Sequence, residues 1–170
     1  GHFWGFDSFQ GLPESVPLDK SGDLARGGLG QFAVEKKAML RNLRRFDAFQ
    51  VPANVHVVKG FFNETLPHAK SEIGPITYLR LDGDLFVSTW GALLELYEQV
   101  VPGGYVYVDD YDSYNGCKQA VDLFRAERGI EEPMHRVVEG KREDHKPWKR
   151  EYEAVWWQKQ KQKQKQELHG

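Results

Sequence analysis

Short apolar runs alternate along the chain with longer segments of helical periodicity. Four runs rich in aromatic and β-branched residues are typical of buried strands, at residues 3–6, 55–58, 76–81 and 105–108. Apolar residues recur at helical spacing in three further segments, residues 32–46, 87–100 and 117–128. Strands that alternate with helices in this way predict an open α/β sheet with helices on both faces.

The end of the chain predicts a closing hairpin. Residues 134–138 and 152–157 are two further strand candidates, with a charged segment between them. The Pro-Gly-Gly sequence at residues 102–104 is expected to end the helix at 87–100.

Composition and charge narrow the class of protein. The chain has 170 residues, of which 40% are hydrophobic and 13% aromatic, so it can bury a core. A formal net charge of -2 argues against nucleic-acid binding, which usually requires a basic face. No apolar run approaches the roughly 20 residues that cross a bilayer. We therefore expect neither a nucleic acid nor a membrane as partner.

Cysteine content and the first residues bear on the compartment. Cys117 is the single cysteine, which excludes an internal disulfide framework and a cysteine-based zinc site. The first residues carry no charged leader or cleavage site of a signal peptide. We expect a cytoplasmic protein.

Acidic side chains follow two of the predicted strands. Asp82 and Asp84 come after the strand at 76–81, and Asp109 and Asp110 come after the next one. In open α/β sheets ligands bind at the carboxyl ends of the strands. Crowded carboxylates are unfavourable unless a cation or a proton neutralises them, and hard oxygen ligands favour Mg²⁺ over Ca²⁺ or Mn²⁺. The alternative is that each Asp caps the helix that follows it.

Three segments carry a resemblance to a known family. They are DSFQGLP at residues 7–13, LRLDGDLFVST at 79–89 and PGGYVYVDDY at 102–111. In this order they resemble the macrocin O-methyltransferase family, and the similarity extends from Phe3 to Trp157. The resemblance implies a Rossmann-like class I fold. It also implies Mg²⁺-assisted methyl transfer from S-adenosyl-L-methionine to a hydroxyl of a sugar or another small natural product.

The resemblance assigns metal and catalytic roles to the acidic residues. Asp82, Asp109 and Asp110 match the metal ligands of the family. Asp84 matches the carboxylate that acts as general base, which takes the proton of the acceptor hydroxyl. Asp82 remains an alternative for the base.

The resemblance also assigns a cofactor site. Asp7 ends the first strand, where class I methyltransferases place an acid on the ribose hydroxyls, and Ser8 adjoins it. Gly60 and Phe61 follow the next strand and match the part of the fold that packs on adenine. Asp82 is included among the cofactor contacts. The loop at residues 14–30 resembles a lid over cofactor and acceptor.

One element of the family pattern is missing. No glycine-rich turn precedes Asp7, and the glycines at residues 27–30 follow no strand. We therefore expect residues 1–158 to be a partial methyltransferase domain that lacks the first strand, followed by a Lys/Gln-rich tail at 159–170. Such a chain is expected to be a weak or inactive enzyme by itself. The resemblance is compatible with a homo-oligomer.

Two other interpretations stay open at this point. The Asp82–Asp84 motif also resembles the acidic motif of haloacid-dehalogenase-type phosphatases. In those enzymes the motif ends the first strand and a Lys precedes the later acidic pair, whereas here two strands come first and residues 98–108 contain no Lys. The other interpretation is a non-catalytic fragment or pseudoenzyme.

Overall fold

Six strands and four helices make up the computed structural model, which describes residues 1–14, 29–44, 54–138 and 152–161. Most of the predicted strands are confirmed to within a residue or two. In chain order the elements are β1 (Phe3–Asp7), α1 (Lys36–Leu43), β2 (Val55–Lys59), α2 (Phe62–Ile73), β3 (Ile76–Leu81), α3 (Phe86–Leu96) with a 3-10 turn (Tyr97–Gln99), β4 (Val100–Val108), α4 (Asn115–Arg128), β5 (His135–Val138) and β6 (Tyr152–Gln158).

The strands form two groups. β1 pairs in parallel with β2, and the other four strands form a sheet in the order β3-β4-β6-β5. In that sheet β3 and β4 are parallel, whereas β6 runs antiparallel to both of its neighbours. The predicted closing hairpin is confirmed, since His135 of β5 lies opposite Trp156 of β6.

β1 and β3 are not paired with each other in the described part of the chain, but both strands contact the same hydrophobic core. Phe6 of β1 packs against the core cluster that the four-stranded sheet supplies. Both strands also direct their carboxyl ends towards the same cleft, which Asp7 and Asp82 line. Carboxyl ends that meet at one ligand cleft are the arrangement expected of a Rossmann-like sheet.

The helices lie on two faces of the strands. α2 packs on α3 and α3 packs on α4, on the face that carries the core. A Cβ added to Gly5 would lie 3.5 Å from Met39 of α1. Because neighbouring strand residues point to opposite faces, α1 covers the face of β1 opposite to Phe6. On the four-stranded sheet the side chains of Tyr78 and Tyr105 remain exposed.

The main core lies between the four-stranded sheet and helices α3 and α4. Trp157 of β6 and Phe124 of α4 are almost fully buried. The ring of Phe124 meets that of Tyr97 edge-to-face at 5.2 Å, a favoured geometry for aromatic pairs. Burying such side chains is worth roughly 1.5–3 kcal/mol each, so this contact is a major support of the sheet.

Two helices differ from the sequence prediction. The helix predicted at residues 32–46 begins only at Lys36, and residues beyond 44 lie outside the described residues. Phe32 is 65% exposed and has a left-handed φ of 61°, so it belongs to a turn. α2 was not predicted, because Pro67 interrupts its apolar pattern and disfavours a helix interior.

The Pro-Gly-Gly sequence at residues 102–104 does not end a helix but lies inside β4. The register of β4 against β3 shifts there, since Val100 faces Ile76 while Tyr105 already faces Tyr78. A Cβ on Gly104 would lie 2.9 Å from the Val101 carbonyl oxygen. The glycine therefore permits a bulge in the strand.

Lys159, the first residue of the predicted Lys/Gln-rich tail, is part of the folded structure. It is 7% exposed, and its Nζ donates a hydrogen bond of 2.9 Å to the carbonyl of Tyr97. Its backbone N–H donates to Gly104 and its carbonyl accepts from Gly103, so it continues the pairing of β6. Residues 162–170 lie outside the described residues. Among the described helices, none has the length and apolar character to cross a membrane.

Removing the ring of Phe124 tests the core. We expect Phe124→Ala to lower the free energy of unfolding by about 3–5 kcal/mol, because a cavity opens between α4 and the sheet. Leu123→Ala is the matched control, since Leu123 is 43% exposed on the same helix; its effect should stay within about 0.5 kcal/mol. Urea unfolding of both variants measures the difference. Equal losses would contradict this placement of the core.

Candidate functional site

A cleft of about 480 Å³ opens at the carboxyl ends of β1, β3 and β4. The predicted site residues Asp7, Ser8, Phe61, Asp82, Asp84 and Asp110 all line it. Asp109 stands beside Asp82 and Asp110 without lining the cleft, and Gly60 lies next to the lining residue Phe61.

The pairing of β3 with β4 brings the acidic residues together. Leu81 lies opposite Val108, and the N–H of Asp109 donates to the carbonyl of Leu81 at 2.9 Å. Asp82 and Asp109 therefore leave adjacent strands at the same level. One carboxylate oxygen from each of Asp82, Asp109 and Asp110 lies within 4.8 Å of the others.

Asp84 and Asp110 are the two acids that proximity and burial affect most. Burial, followed by the charge of Asp84, raises the pKa of Asp110 to about 8. Burial, followed by the charge of Asp82, raises the pKa of Asp84 to about 6. Oδ2 of Asp110 is buried without a hydrogen-bond partner. Two buried carboxylates this close together are unfavourable unless a proton or a cation reduces their negative charge.

A tight turn holds Asp84 in place. Asp84 has a left-handed φ of 54°, which few residues other than glycine adopt without strain. The N–H of Leu85 donates to the carbonyl of Gly83 at 2.5 Å. A Cβ on Gly83 would lie 2.9 Å from that of Ser88 and 3.2 Å from the ring of Phe62. The glycine thus lets the turn approach α3 closely.

A side-chain network fixes the loop that carries Asp110. The hydroxyl of Tyr111 donates to Oδ1 of Asp122 at 2.6 Å, and Nζ of Lys118 donates to the same hydroxyl at 2.5 Å. The backbone N–H of Tyr114 also donates to the carbonyl of Asp110 at 3.0 Å. These bonds tie the loop to α4.

Arg80 is a site residue that the sequence prediction missed. Its Nη2 lies 2.9 Å from Oδ2 of Asp82 and 3.0 Å from Oδ1 of Asp109. The attraction to Arg80 partly offsets burial and the charge of Asp109, which raise the pKa of Asp82. A signal was present in the sequence, because residues two apart on an extended chain point the same way.

The predicted cofactor residues differ in what they offer the cleft. Oδ1 of Asp7 accepts the N–H of Phe9 at 2.6 Å, which orients the carboxylate. The hydroxyl of Ser8 donates to the carbonyl of Gly11 and accepts from the N–H of Gln10, so it holds a turn together. Asp7 therefore offers its carboxylate to the cleft, whereas Ser8 stabilises the backbone turn at residues 8–11.

Gly60 joins the ends of β1 and β2. Its N–H donates to the carbonyl of Asp7 at 3.0 Å, and its φ is 144°. A Cβ there would lie 2.6 Å from Cγ2 of Thr65. Gly60 thus allows β2 to turn sharply into Phe61 and α2.

The two ends of the predicted lid are pinned together. Leu12 donates to the carbonyl of Gln31, and Gly30 donates to the carbonyl of Leu12. A Cβ on Gly11 would lie 2.3 Å from the oxygen of Gln31, so only glycine fits this crossing. Most of the lid, residues 15–28, lies outside the described residues. Four cleft residues lie in none of the motifs found in the sequence, namely Gln31, Phe32, Ser113 and Tyr114.

The raised pKa values predict a pH dependence of stability without metal. The unfolded chain loses these protons near pH 3.8, whereas the folded chain holds them up to pH values of about 6 and about 8. The stabilisation is complete below the unfolded value and is lost as the pH rises through the folded values. In EDTA, the melting temperature should therefore fall as the pH is raised from about 5 to about 8.

Asp110→Asn is the matched variant for this prediction. Its amide carries no titrating proton, so its melting temperature should fall less over the same range. Thermal denaturation at constant ionic strength gives both slopes. Parallel curves for the two proteins would show that Asp110 is not the group responsible.

Sequence and structure comparisons place the chain among known proteins. The sequence profile described as macrocin O-methyltransferase (TylF) matches residues 2–141. The chain is 40% identical over 135 residues to demethyldecarbamoylnovobiocin O-methyltransferase of Streptomyces niveus, covering 77% of this chain and 50% of that protein. It is 35% identical over 138 residues to 8-demethyl-8-(2,3-dimethoxy-alpha-L-rhamnosyl)-tetracenomycin-C 4'-O-methyltransferase of Streptomyces olivaceus, covering 79% and 51%.

The fold matches as well. The structure of the O-methyltransferase NovP superposes with a TM-score of 0.74 at 34% identity, covering 94% of this chain and 60% of that one. The chain spans about half the length of the two relatives. The Rossmann-like class I fold inferred from the sequence is confirmed. The chain belongs to the macrocin O-methyltransferase family.

Proposed function

We propose that this chain carries the metal and proton-accepting part of an S-adenosyl-L-methionine-dependent O-methyltransferase that acts on a hydroxyl of a sugar or another small natural product. The observation that carries the proposal is the clustering of four acidic residues where β3 and β4 end, namely Asp82, Asp84, Asp109 and Asp110, the first two and the last of which line the cleft. Family membership supports methyl transfer over the phosphatase alternative. The names of the two relatives refer to natural products, and one name includes a rhamnosyl sugar.

Mg²⁺ is the proposed metal, and the donor set fits it. Asp82, Asp109 and Asp110 offer hard oxygen atoms within 4.8 Å of one another. Mg²⁺ prefers hard oxygen ligands of this kind. The buried, unpartnered Oδ2 of Asp110 is an acceptor that a cation would satisfy. When bound, the ion would lower the pKa of an acceptor hydroxyl and orient it.

Asp84 is the proposed general base. Asp82 is engaged by Arg80 and lies among the proposed metal ligands, which leaves Asp84 as the carboxylate free for proton transfer. As a carboxylate that lines the cleft, it can accept a proton from a hydroxyl bound there. The turn at Gly83 holds this carboxylate towards the cleft.

The cofactor is proposed to lie across the ends of β1 and β2. The carboxylate of Asp7 suits a vicinal diol, since it has acceptor oxygens for two hydroxyls. The ring of Phe61 lines the cleft next to it and offers a flat apolar surface for adenine. Ser8 and Gly60 would act through the backbone shape they impose, and Asp82 would close the site from β3.

Several expectations stay predictions. They are the boundary between a partial methyltransferase domain at 1–158 and a tail at 159–170, a cytoplasmic location, a homo-oligomeric state, and the lack of nucleic-acid and membrane partners.

Mg²⁺ binding tests the metal site. We expect Mg²⁺ to raise the melting temperature of the chain, because it neutralises carboxylates that repel each other. Asp109→Asn should weaken binding by about tenfold or more, because it removes one charged ligand. Glu95→Gln, which alters a surface pair with Lys70 outside the cleft, should behave as the unaltered chain does. If Mg²⁺ stabilises none of the three proteins, the non-catalytic interpretation is favoured.

Cofactor titration tests the other half of the proposal. We expect saturable but weak S-adenosyl-L-methionine binding by isothermal titration, because β1 and β3 are not joined by a strand in the described part of the chain. Asp7→Ala should weaken it further by removing the ribose contact. Micromolar affinity would contradict the expectation that this chain is a weak enzyme alone. Complete lack of binding would contradict the cofactor proposal.

A further inference from the structure

Arg80 lies at the carboxyl end of β3 and has no role in the function proposed above. Its side chain is 51% exposed, and its guanidinium carbon lies 5.9 Å from the centre of the Tyr107 ring. Tyr107 faces it directly across the parallel pair of strands. The guanidinium therefore lies on the solvent side of the acidic residues, beside an aromatic surface.

One nitrogen of Arg80 bridges two carboxylates. Nη2 lies 2.9 Å from Oδ2 of Asp82 and 3.0 Å from Oδ1 of Asp109. Both residues belong to the group of three whose oxygen atoms could hold a metal ion. The guanidinium thus contacts oxygens from two of the three acids between which a cation would sit.

We infer that Arg80 is the counter-ion of the metal-free site, and that it competes with a divalent cation for the oxygens of Asp82 and Asp109. The inference rests on the proposed metal site. In the metal-free chain Arg80 keeps the two carboxylates side by side against their mutual repulsion. Metal binding is then an exchange of one cation for another, since the guanidinium and a divalent ion would be attracted to the same two carboxylates and would repel each other.

The surroundings of Arg80 suit such an exchange. Half of its side chain is exposed to solvent, and the face of Tyr107 offers a second favourable position for the guanidinium. An ordinary exposed ion pair contributes little to stability and would leave the affinity for a metal unchanged. Metal affinity therefore distinguishes this role from a purely structural ion pair.

Arg80→Met in the 170-residue chain tests the inference by Mg²⁺ titration calorimetry. We expect Mg²⁺ to bind roughly fivefold more tightly, because it no longer displaces a cation. Arg80→Lys keeps the charge and should bind nearly as the unaltered chain does. Arg128→Met is the matched control, since it removes the same charge from a pair with Glu98 at 2.7 Å, away from the cleft; its Mg²⁺ affinity should be unchanged.

Thermal denaturation supplies a second readout. In EDTA, Arg80→Met should melt at a lower temperature than the unaltered chain, and saturating Mg²⁺ should remove that difference. Unchanged or weaker Mg²⁺ binding by Arg80→Met would overturn the inference while leaving the metal site intact. Binding by Arg80→Met alone would support it. If neither protein binds Mg²⁺, the proposed metal site fails and the inference fails with it.

Discussion

The mutual repulsion of carboxylates at the ends of β3 and β4 is the constraint around which the site is organised. Burial and neighbouring negative charge raise the pKa of Asp110 and of Asp84, so this pair favours a shared proton. Asp82 and Asp109 are partly neutralised from the solvent side by Arg80, which carries one positive charge for the two carboxylates. Without a metal, the four acids are thus divided between a proton and a guanidinium. A divalent cation would replace both arrangements at once.

The acids remain close together despite their repulsion because strand pairing and core packing fix the backbone that carries them. The parallel register of β3 and β4 places Leu81 beside Val108, and both are buried. Trp157 supports the same sheet from β6, and the bonds of Tyr111 tie the acidic loop to α4. The favourable packing of the core therefore offsets the repulsion between these like charges, as is common at functional sites.

The division of the strands into two groups affects cofactor binding more than metal binding. The four-stranded sheet carries all of the proposed metal ligands, whereas Asp7 reaches the cleft from β1. Phe6 packs on the common core and so joins β1 to the four-stranded sheet through side-chain contacts. Metal affinity should consequently survive in this chain better than cofactor affinity does.

The sequence alone determined the order of the six strands and of three of the four described helices, the position of the acids at strand ends and the family motifs. These are local properties, set by periodicity and by residue type within short segments. The bulge at Gly104, the crossing of Gly11 under Gln31 and the exact partners of Arg80 were decided only by the tertiary structure. Each depends on contact between residues far apart in the chain, and no local pattern encodes which distant backbone or carboxylate will lie within reach.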